Sequence, residues 1–201
     1  KRAKSVEARK LKAAEEKSGL LQNLETAEDL KLFPLSYFAD TLVSFSDVVP
    51  AYDGKEVCRP VSFTVRRGER IALDGGNGSG KSSLLKLLEG EDIDHRGTVA
   101  VGSGLVISYV PQDTAGLAGS LSDFAEKKQI EESLFKAVLR KMGFERVHFE
   151  KRIEDLSAGQ KKKVLIAGSL CQQAHLYVWD EPLNYIDIYS RMQIENLIKE
   201  F

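Results

Sequence analysis

The sequence predicts an α/β fold, and three observations lead to it. A short apolar run, Arg70-Ile71-Ala72-Leu73-Asp74, enters a segment with four glycines between Gly75 and Gly80, and leucines at helical spacing (Leu84, Leu85, Leu87, Leu88) follow. A second apolar run, Leu176-Tyr177-Val178-Trp179, ends in the acidic pair Asp180-Glu181. Around these lie further β-type runs and several amphipathic stretches, the mixture expected of helices packed on a sheet.

Residues Lys1 to about Leu32 are rich in Lys, Glu, Ala and Leu, with Gly19 the one helix breaker, and predict a helix. Lys1–Lys17 holds seven cationic residues against three acidic ones, a net of +4, and its apolar residues are mostly alanines. Such a helix has no core-facing stripe and reads as a solvated or partner-bound arm. Composition changes at Phe33-Pro34. Leu42–Phe45 and Val61–Val65 predict strands, Arg66-Arg67-Gly68 a turn, and Arg70–Asp74 a buried strand.

Beyond the leucine helix, Thr98–Val101 and Leu105–Val110 are two β-runs, and Gly102-Ser103-Gly104 between them suits a hairpin. Ser120–Leu156 is helical in pattern, with Leu134, Phe135, Val138, Leu139 and Met142 on one face. A helix from Gln160 to about Gln173 should bury Val164, Ala167 and Cys171, and Ser190–Phe201 predicts a last helix.

Composition narrows the function. Of 201 residues 42 % are hydrophobic and 29 % charged, with a net charge of −1, which argues against a globally basic nucleic-acid module. No window approaches the ~18 consecutive apolar residues of a membrane span. Cys58 and Cys171 lie far apart, form no CxxC pair and read as free thiols in a reducing compartment, so a cytoplasmic location is expected. The start carries no secretory signal and no Met, so a piece of a longer chain is expected.

Gly75-Gly76-Asn77-Gly78-Ser79-Gly80-Lys81-Ser82 fits the phosphate-loop pattern G-x-x-x-x-G-K-[ST], in the required context of strand and helix. Glycines let backbone N–H groups turn inward on phosphates, and the following helix points its positive end at the same anion. Lys81 is expected at the β- and γ-phosphates and the Ser82 hydroxyl on Mg²⁺, with Ser83 completing the ATP-binding loop. In a P-loop protein the second apolar strand lies beside the first, which brings Asp180 to the metal and Glu181 toward the attacking water. Alone, an apolar run ending in Asp-Glu is a weak signal, often a strand end meeting solvent.

Leu156-Ser157-Ala158-Gly159-Gln160 resembles the LSGGQ signature of ATP-binding-cassette (ABC) proteins, with Ala158 in place of a glycine. By itself it is also a Ser-capped helix start. The resemblance covers about Leu42 to Phe201 with the motifs in family order. It implies a P-loop NTPase of ABC type: a mixed sheet core, an antiparallel β subdomain, a helical signature subdomain at about 113–158, and the N-terminal linker helix. The domain would occupy 33–201 and the linker 1–32.

The resemblance further implies that Ser157, Ala158, Gly159 and Gln160 serve the γ-phosphate of ATP held by a facing ABC domain. Gln112 matches the Q-loop glutamine, on Mg²⁺ with Ser82 and Asp180, and the catalytic group would be Glu181, Lys81 and Gln112. Tyr52 matches the aromatic that stacks on adenine, though a turn tyrosine reads the same. Leu183–Asp187 resembles the D-loop, with Asn184 and Asp187 at the interface between domains.

Asp180–Asp187 is similar to the DEPTNHLD form of the ABC-F family, whose members pair two such domains in one chain and have no membrane part. The Leu156–Ala167 run, together with Trp179–Asn184, resembles the ribosome-protection members of the lincosamide, streptogramin A and pleuromutilin type. This implies Mg-ATP hydrolysis in a tandem ATPase acting on the ribosome, with the basic arm near rRNA and tRNA. Two departures stand out. Gly168 sits mid-helix, at a cost of about 1 kcal/mol. The switch histidine, expected roughly 30 residues past Asp187, has no counterpart, since His95, His148 and His175 all precede it, so an incomplete hydrolytic site is expected. The alternatives are the ATPase subunit of a transporter with separate membrane subunits, and a non-catalytic module that uses ATP only to dimerise.

Overall fold

A computed structural model describes residues 30–200. The expected helical arm lies outside these residues, apart from its last three positions, which form no helix. Leu30 is buried there and packs into the helical core.

The first half is an antiparallel sheet organised on one long strand, β1 (Thr41–Tyr52). β2 (Lys55–Glu56) folds back on its end, and β3 (Val61–Arg66) and β4 (His95–Val101) flank it. Both flanking registers slip near Asp47, at Phe45/Val48 against β3 and Ser46/Val49 against β4. Asp47 has φ 50°, and a Cβ on Gly97 opposite would lie 2.3 Å from the Asp47 carbonyl, so only glycine lets the strands meet at this bulge. The sheet packs its apolar face (Val43, Phe45, Val48, Val65) on α1 (Lys81–Glu89) through Leu84, Leu87 and Leu88.

Two expectations about strands are corrected. Thr98–Val101 and Leu105–Val110 form no hairpin. β4 pairs with β1, whereas β5 (Ile107–Val110) pairs in parallel with β6 (Leu176–Trp179). The glycine turn is anchored from both sides, by Gly102 N–H on the Leu42 carbonyl at 2.9 Å and Tyr37 Oη on the Ser103 carbonyl at 2.7 Å. It therefore passes the chain from one sheet to the other. Nor is Arg70–Asp74 a buried strand: Ile71 is 46 % exposed and no strand pairs with this run among the described residues. β6 pairs with β5, and Arg70 donates to the carbonyls of Ile198 and Lys199.

The helical stretch breaks into α2 (Leu121–Lys127), α3 (Glu132–Lys141), the short α4 (Arg146–Phe149) and a 3-10 turn at Ile153–Asp155. Of the expected α3 face, Phe135, Leu139 and Met142 are fully buried, while Leu134 is 37 % exposed. α5 (Ala158–Cys171) is buried on almost every side from Lys162 to Leu170, and α6 (Ile188–Glu200) closes the second core with Ile194 and Leu197. Gly168 has a packing role here. A Cβ on it would stand 2.8 Å from Cε1 of Phe124, which itself stacks on Phe135. The Phe124 ring occupies the space that a side chain would need.

Candidate nucleotide site

The chain turns into α1 through Gly80 at φ 86°, and no side chain caps the helix. Its first turn carries no acidic residue. The first-turn amides and the positive helix end thus face the cleft with no carboxylate of the helix's own first turn against them. A Cβ on Gly80 would sit 3.1 Å from Val57 Cγ2, so the loop also needs glycine there for close approach to the segment after β2.

A cleft of about 350 Å³ opens at this point, lined by Tyr52, Val57, Asn77–Ser83, Gln112 and Glu181. Tyr52 Oη donates to Ser83 Oγ at 3.0 Å, which holds the tyrosine at the rim. Lys81 Nζ donates to the carbonyls of Gly75 at 2.8 Å and Gly76 at 3.1 Å.

Gln112 and Glu181 arrive from the parallel pair β5–β6, whose carboxyl ends open on the same side. Gln112 Nε2 donates to Glu181 Oε2 at 2.7 Å, and Ser82 Oγ lies 3.5 Å from Gln112 Oε1. Asn184 Nδ2 donates to the same Glu181 oxygen at 2.5 Å. Glu181 holds φ 44°, a left-handed conformation that carboxylate residues adopt at a cost of order 1 kcal/mol, and such strain clusters at functional sites. Asp180 is 2 % exposed, with its N–H on the Val110 carbonyl. No group of three or more His, Cys, Asp or Glu side chains gathers among the described residues. Beside the loop stand instead the hard oxygens of Ser82 and Gln112, 3.5 Å apart. Such a set suits Mg²⁺, which keeps several waters and takes phosphate oxygens as further ligands.

Ser157 stands exposed at the start of α5. Its hydroxyl accepts from Gln160 N–H at 3.3 Å and Gln160 Oε1 accepts from Ser157 N–H at 3.0 Å, a reciprocal cap. Ala158 is exposed too, so its methyl costs nothing in packing. Gly159 is different: a Cβ would lie 2.3 Å from the Tyr185 carbonyl, so the turn after Glu181 rests directly on this helix end. Asp187 pairs with Lys163 Nζ at 2.5 Å and accepts the Ser190 N–H at 3.0 Å. Burial opposes the charged carboxylate, yet these bonds together hold the Asp187 carboxyl below its ordinary range.

The ABC transporter family profile matches residues 58–184. The chain belongs to the ABC transporter family. Members of this family bind and hydrolyse ATP. Over 161 residues it is 33 % identical to the uncharacterized ABC transporter ATP-binding protein YfmM of Bacillus subtilis, covering 77 % of this chain and 30 % of that protein. It is 27 % identical over 169 residues to the zinc import ATP-binding protein ZnuC of a Wolbachia species from Brugia malayi (80 % and 68 %). It is 27 % identical over 161 residues to the ribosome protection protein VmlR of Bacillus subtilis (77 % and 29 %). The chain thus spans about 30 % of YfmM's length. A bacterial Atm1-family ABC exporter with ATP bound superposes with a TM-score of 0.68 at 21 % identity, over 87 % of this chain and 35 % of that one, and shares the ABC ATPase fold. No helix among the described residues is long and apolar enough to cross a membrane.

Sequence reasoning missed Lys162, Lys163 and Ser190. Lys162 is fully buried and donates to the carbonyls of Pro111, Asp180 and Gln112. Burial lowers its pKa, against the pull of Asp180 and Glu181. Three consecutive lysines read as a solvated face. The signal available was the uninterrupted apolar run after them, which marks a helix buried all round. Cys171, pushed up to about 12 by burial and then by Glu131, and Cys58, raised by burial and then by Glu56, are free thiols with no nucleophilic activation.

Proposed function

We propose that the chain binds Mg-ATP in the Tyr52–Glu181 cleft and hydrolyses it as one half of an ABC-F pair that acts on the ribosome. The observation that carries the hydrolytic part is the Gln112–Glu181–Asn184 cluster facing the phosphate loop. In this reading Tyr52 stacks on adenine, and Gly75, Gly76, Asn77, Gly78, Ser79, Gly80 and Ser83 wrap the phosphates through backbone and hydroxyl groups. Lys81 exchanges its two carbonyl partners for β- and γ-phosphate oxygens. Ser82, Gln112 and Asp180 would hold Mg²⁺, which would supply charge neutralisation at the phosphates.

Glu181 orients a water in line with the γ-phosphate and accepts its proton as the water oxygen bonds to phosphorus. The bond to the β–γ bridging oxygen breaks and ADP departs. Positioning and electrostatics account for most of the acceleration. Ser157, Ala158, Gly159 and Gln160 face the ATP of a second ABC domain, and Asn184 and Asp187 lie at the interface with that domain.

The ribosomal part rests on the D-loop form around Asn184, on the +4 arm, whose cations suit RNA phosphates, and on the similarity to VmlR, a ribosome protection protein. We read the chain within the ribosome-protection group of that family. The test is co-sedimentation of the arm-bearing chain with ribosomes. Binding that requires ATP and weakens with salt is expected, and salt-insensitive or nucleotide-independent behaviour overturns the ribosomal role. The match to ZnuC favours a second reading, a transporter ATPase. Stable co-purification with a membrane-spanning subunit would select it.

A further inference from the structure

We propose that Lys162 is a positioning residue for hydrolysis: one buried ammonium sets the two peptide planes from which the Gln112 and Glu181 side chains spring. This rests on the reading of those two residues as the hydrolytic pair.

Lys162 has no exposed surface, and Nζ donates to Pro111 O at 2.9 Å, Asp180 O at 3.0 Å and Gln112 O at 3.4 Å. An ammonium has three N–H donors and here meets three acceptors. The Pro111 carbonyl belongs to the peptide that enters Gln112, and the Asp180 carbonyl to the peptide that enters Glu181. Both peptides follow directly on the ends of the parallel strands β5 and β6.

Glu181 stands at φ 44°, and a backbone in that region persists only where its surroundings hold it. Rotation of either peptide plane would swing the side chain beyond it and open the 2.7 Å bond between Gln112 and Glu181. Filling space does not explain the residue, because an apolar side chain of similar volume packs at least as well in such a place. Lys162 also stands one turn into α5, the helix that Ser157 caps. The same ammonium thereby ties the helix end assigned to the facing nucleotide to the strand ends assigned to this one.

The test compares Lys162→Met and Lys162→Gln with wild type in the whole chain. Steady-state ATP turnover is read together with the emission of Trp179. That residue is the single tryptophan; it precedes Asp180 and donates from Nε1 to Ser169 Oγ at 2.9 Å, so it reports on the end of β6. Lys162→Met is expected to lower kcat about tenfold or more with KM for ATP within about twofold, and to shift Trp179 emission. Lys162→Gln, which keeps two N–H donors, recovers part of both.

Wild-type kcat and emission in Lys162→Met overturn the proposal. So does a parallel loss of ATP affinity and thermal stability in both variants, which makes Lys162 a core-filling residue. If the wild-type chain turns over no ATP, the hydrolytic reading fails on its own account. Lys162 is then judged on emission alone, and an unshifted Trp179 in Lys162→Met overturns the positioning role.

Discussion

The amide of Gln112 donates to the carboxylate of Glu181 at 2.7 Å, joining residues 69 positions apart in the chain. Asn184 approaches the same oxygen, Oε2, from the turn beyond β6. Both donors bond to Oε2 and neither to Oε1.

Glu181→Gln keeps an acceptor for Gln112 and Asn184 but removes the base. ATP binding is expected to persist while turnover drops by about 10²–10⁴-fold. Nucleotide titration and phosphate release on the same preparation measure both, and undiminished turnover would remove Glu181 from the mechanism.

Gly159→Ala drives a methyl against the Tyr185 carbonyl, a backbone atom with little room to give. Overpacking of this kind costs about 1–3 kcal/mol. The turn over 183–187 should lift from α5 and become cleavable, as limited proteolysis with thermal melting would register. An unchanged cleavage pattern counts against the contact.

Gly168→Ala should gain about 1 kcal/mol of helix propensity and lose more through the clash with Phe124, a net loss of about 1–2 kcal/mol. Shrinking the ring in the double variant Phe124→Leu/Gly168→Ala should relieve part of that clash. Strict additivity of the two changes in urea unfolding contradicts the packing account.

Glu154 supplies a pH-dependent contribution. Its carboxyl is held down to about 2, first by the hydrogen bond from Arg152, then by N–H groups at Glu154 itself and Gly119. The folded value lies below the ~4.3 of an unfolded glutamate. Its contribution is therefore whole above about pH 4.3 and is lost as the pH falls toward 2. Glu154→Gln should flatten the urea-midpoint profile in that window, and an identical slope for both proteins would refute the assignment.

Much of the site was legible because its residues are local in sequence. The run from Gly75 to Ser83 brings its own geometry, and the Ser157/Gln160 cap spans three positions. Where partners come from afar, pattern failed. Thr98–Val101 and Leu105–Val110 have equal β character, but their pairing is decided by β1 and β6, 50 to 70 residues away. Ile71 has the apolar neighbours of a buried strand, yet it stands exposed and β6 pairs with β5. The lysines at 162 and 163 defeat composition altogether, since a cation is buried only where carbonyls or a carboxylate converge on it. The Gly168 requirement was equally hidden, as it depends on where Phe124 comes to rest.

Lys163 also donates to the Met142 carbonyl at 2.5 Å, and Ser190 Oγ reaches that oxygen at 3.2 Å. The final turn of α3 is thus moored to both α5 and α6, and the mooring cation is the one that grips Asp187. A tilt of α3 must drag Asp187 along or break that grip. Load applied to the helical layer therefore has a route to Asp187 and the turn around it that bypasses the phosphate cradle.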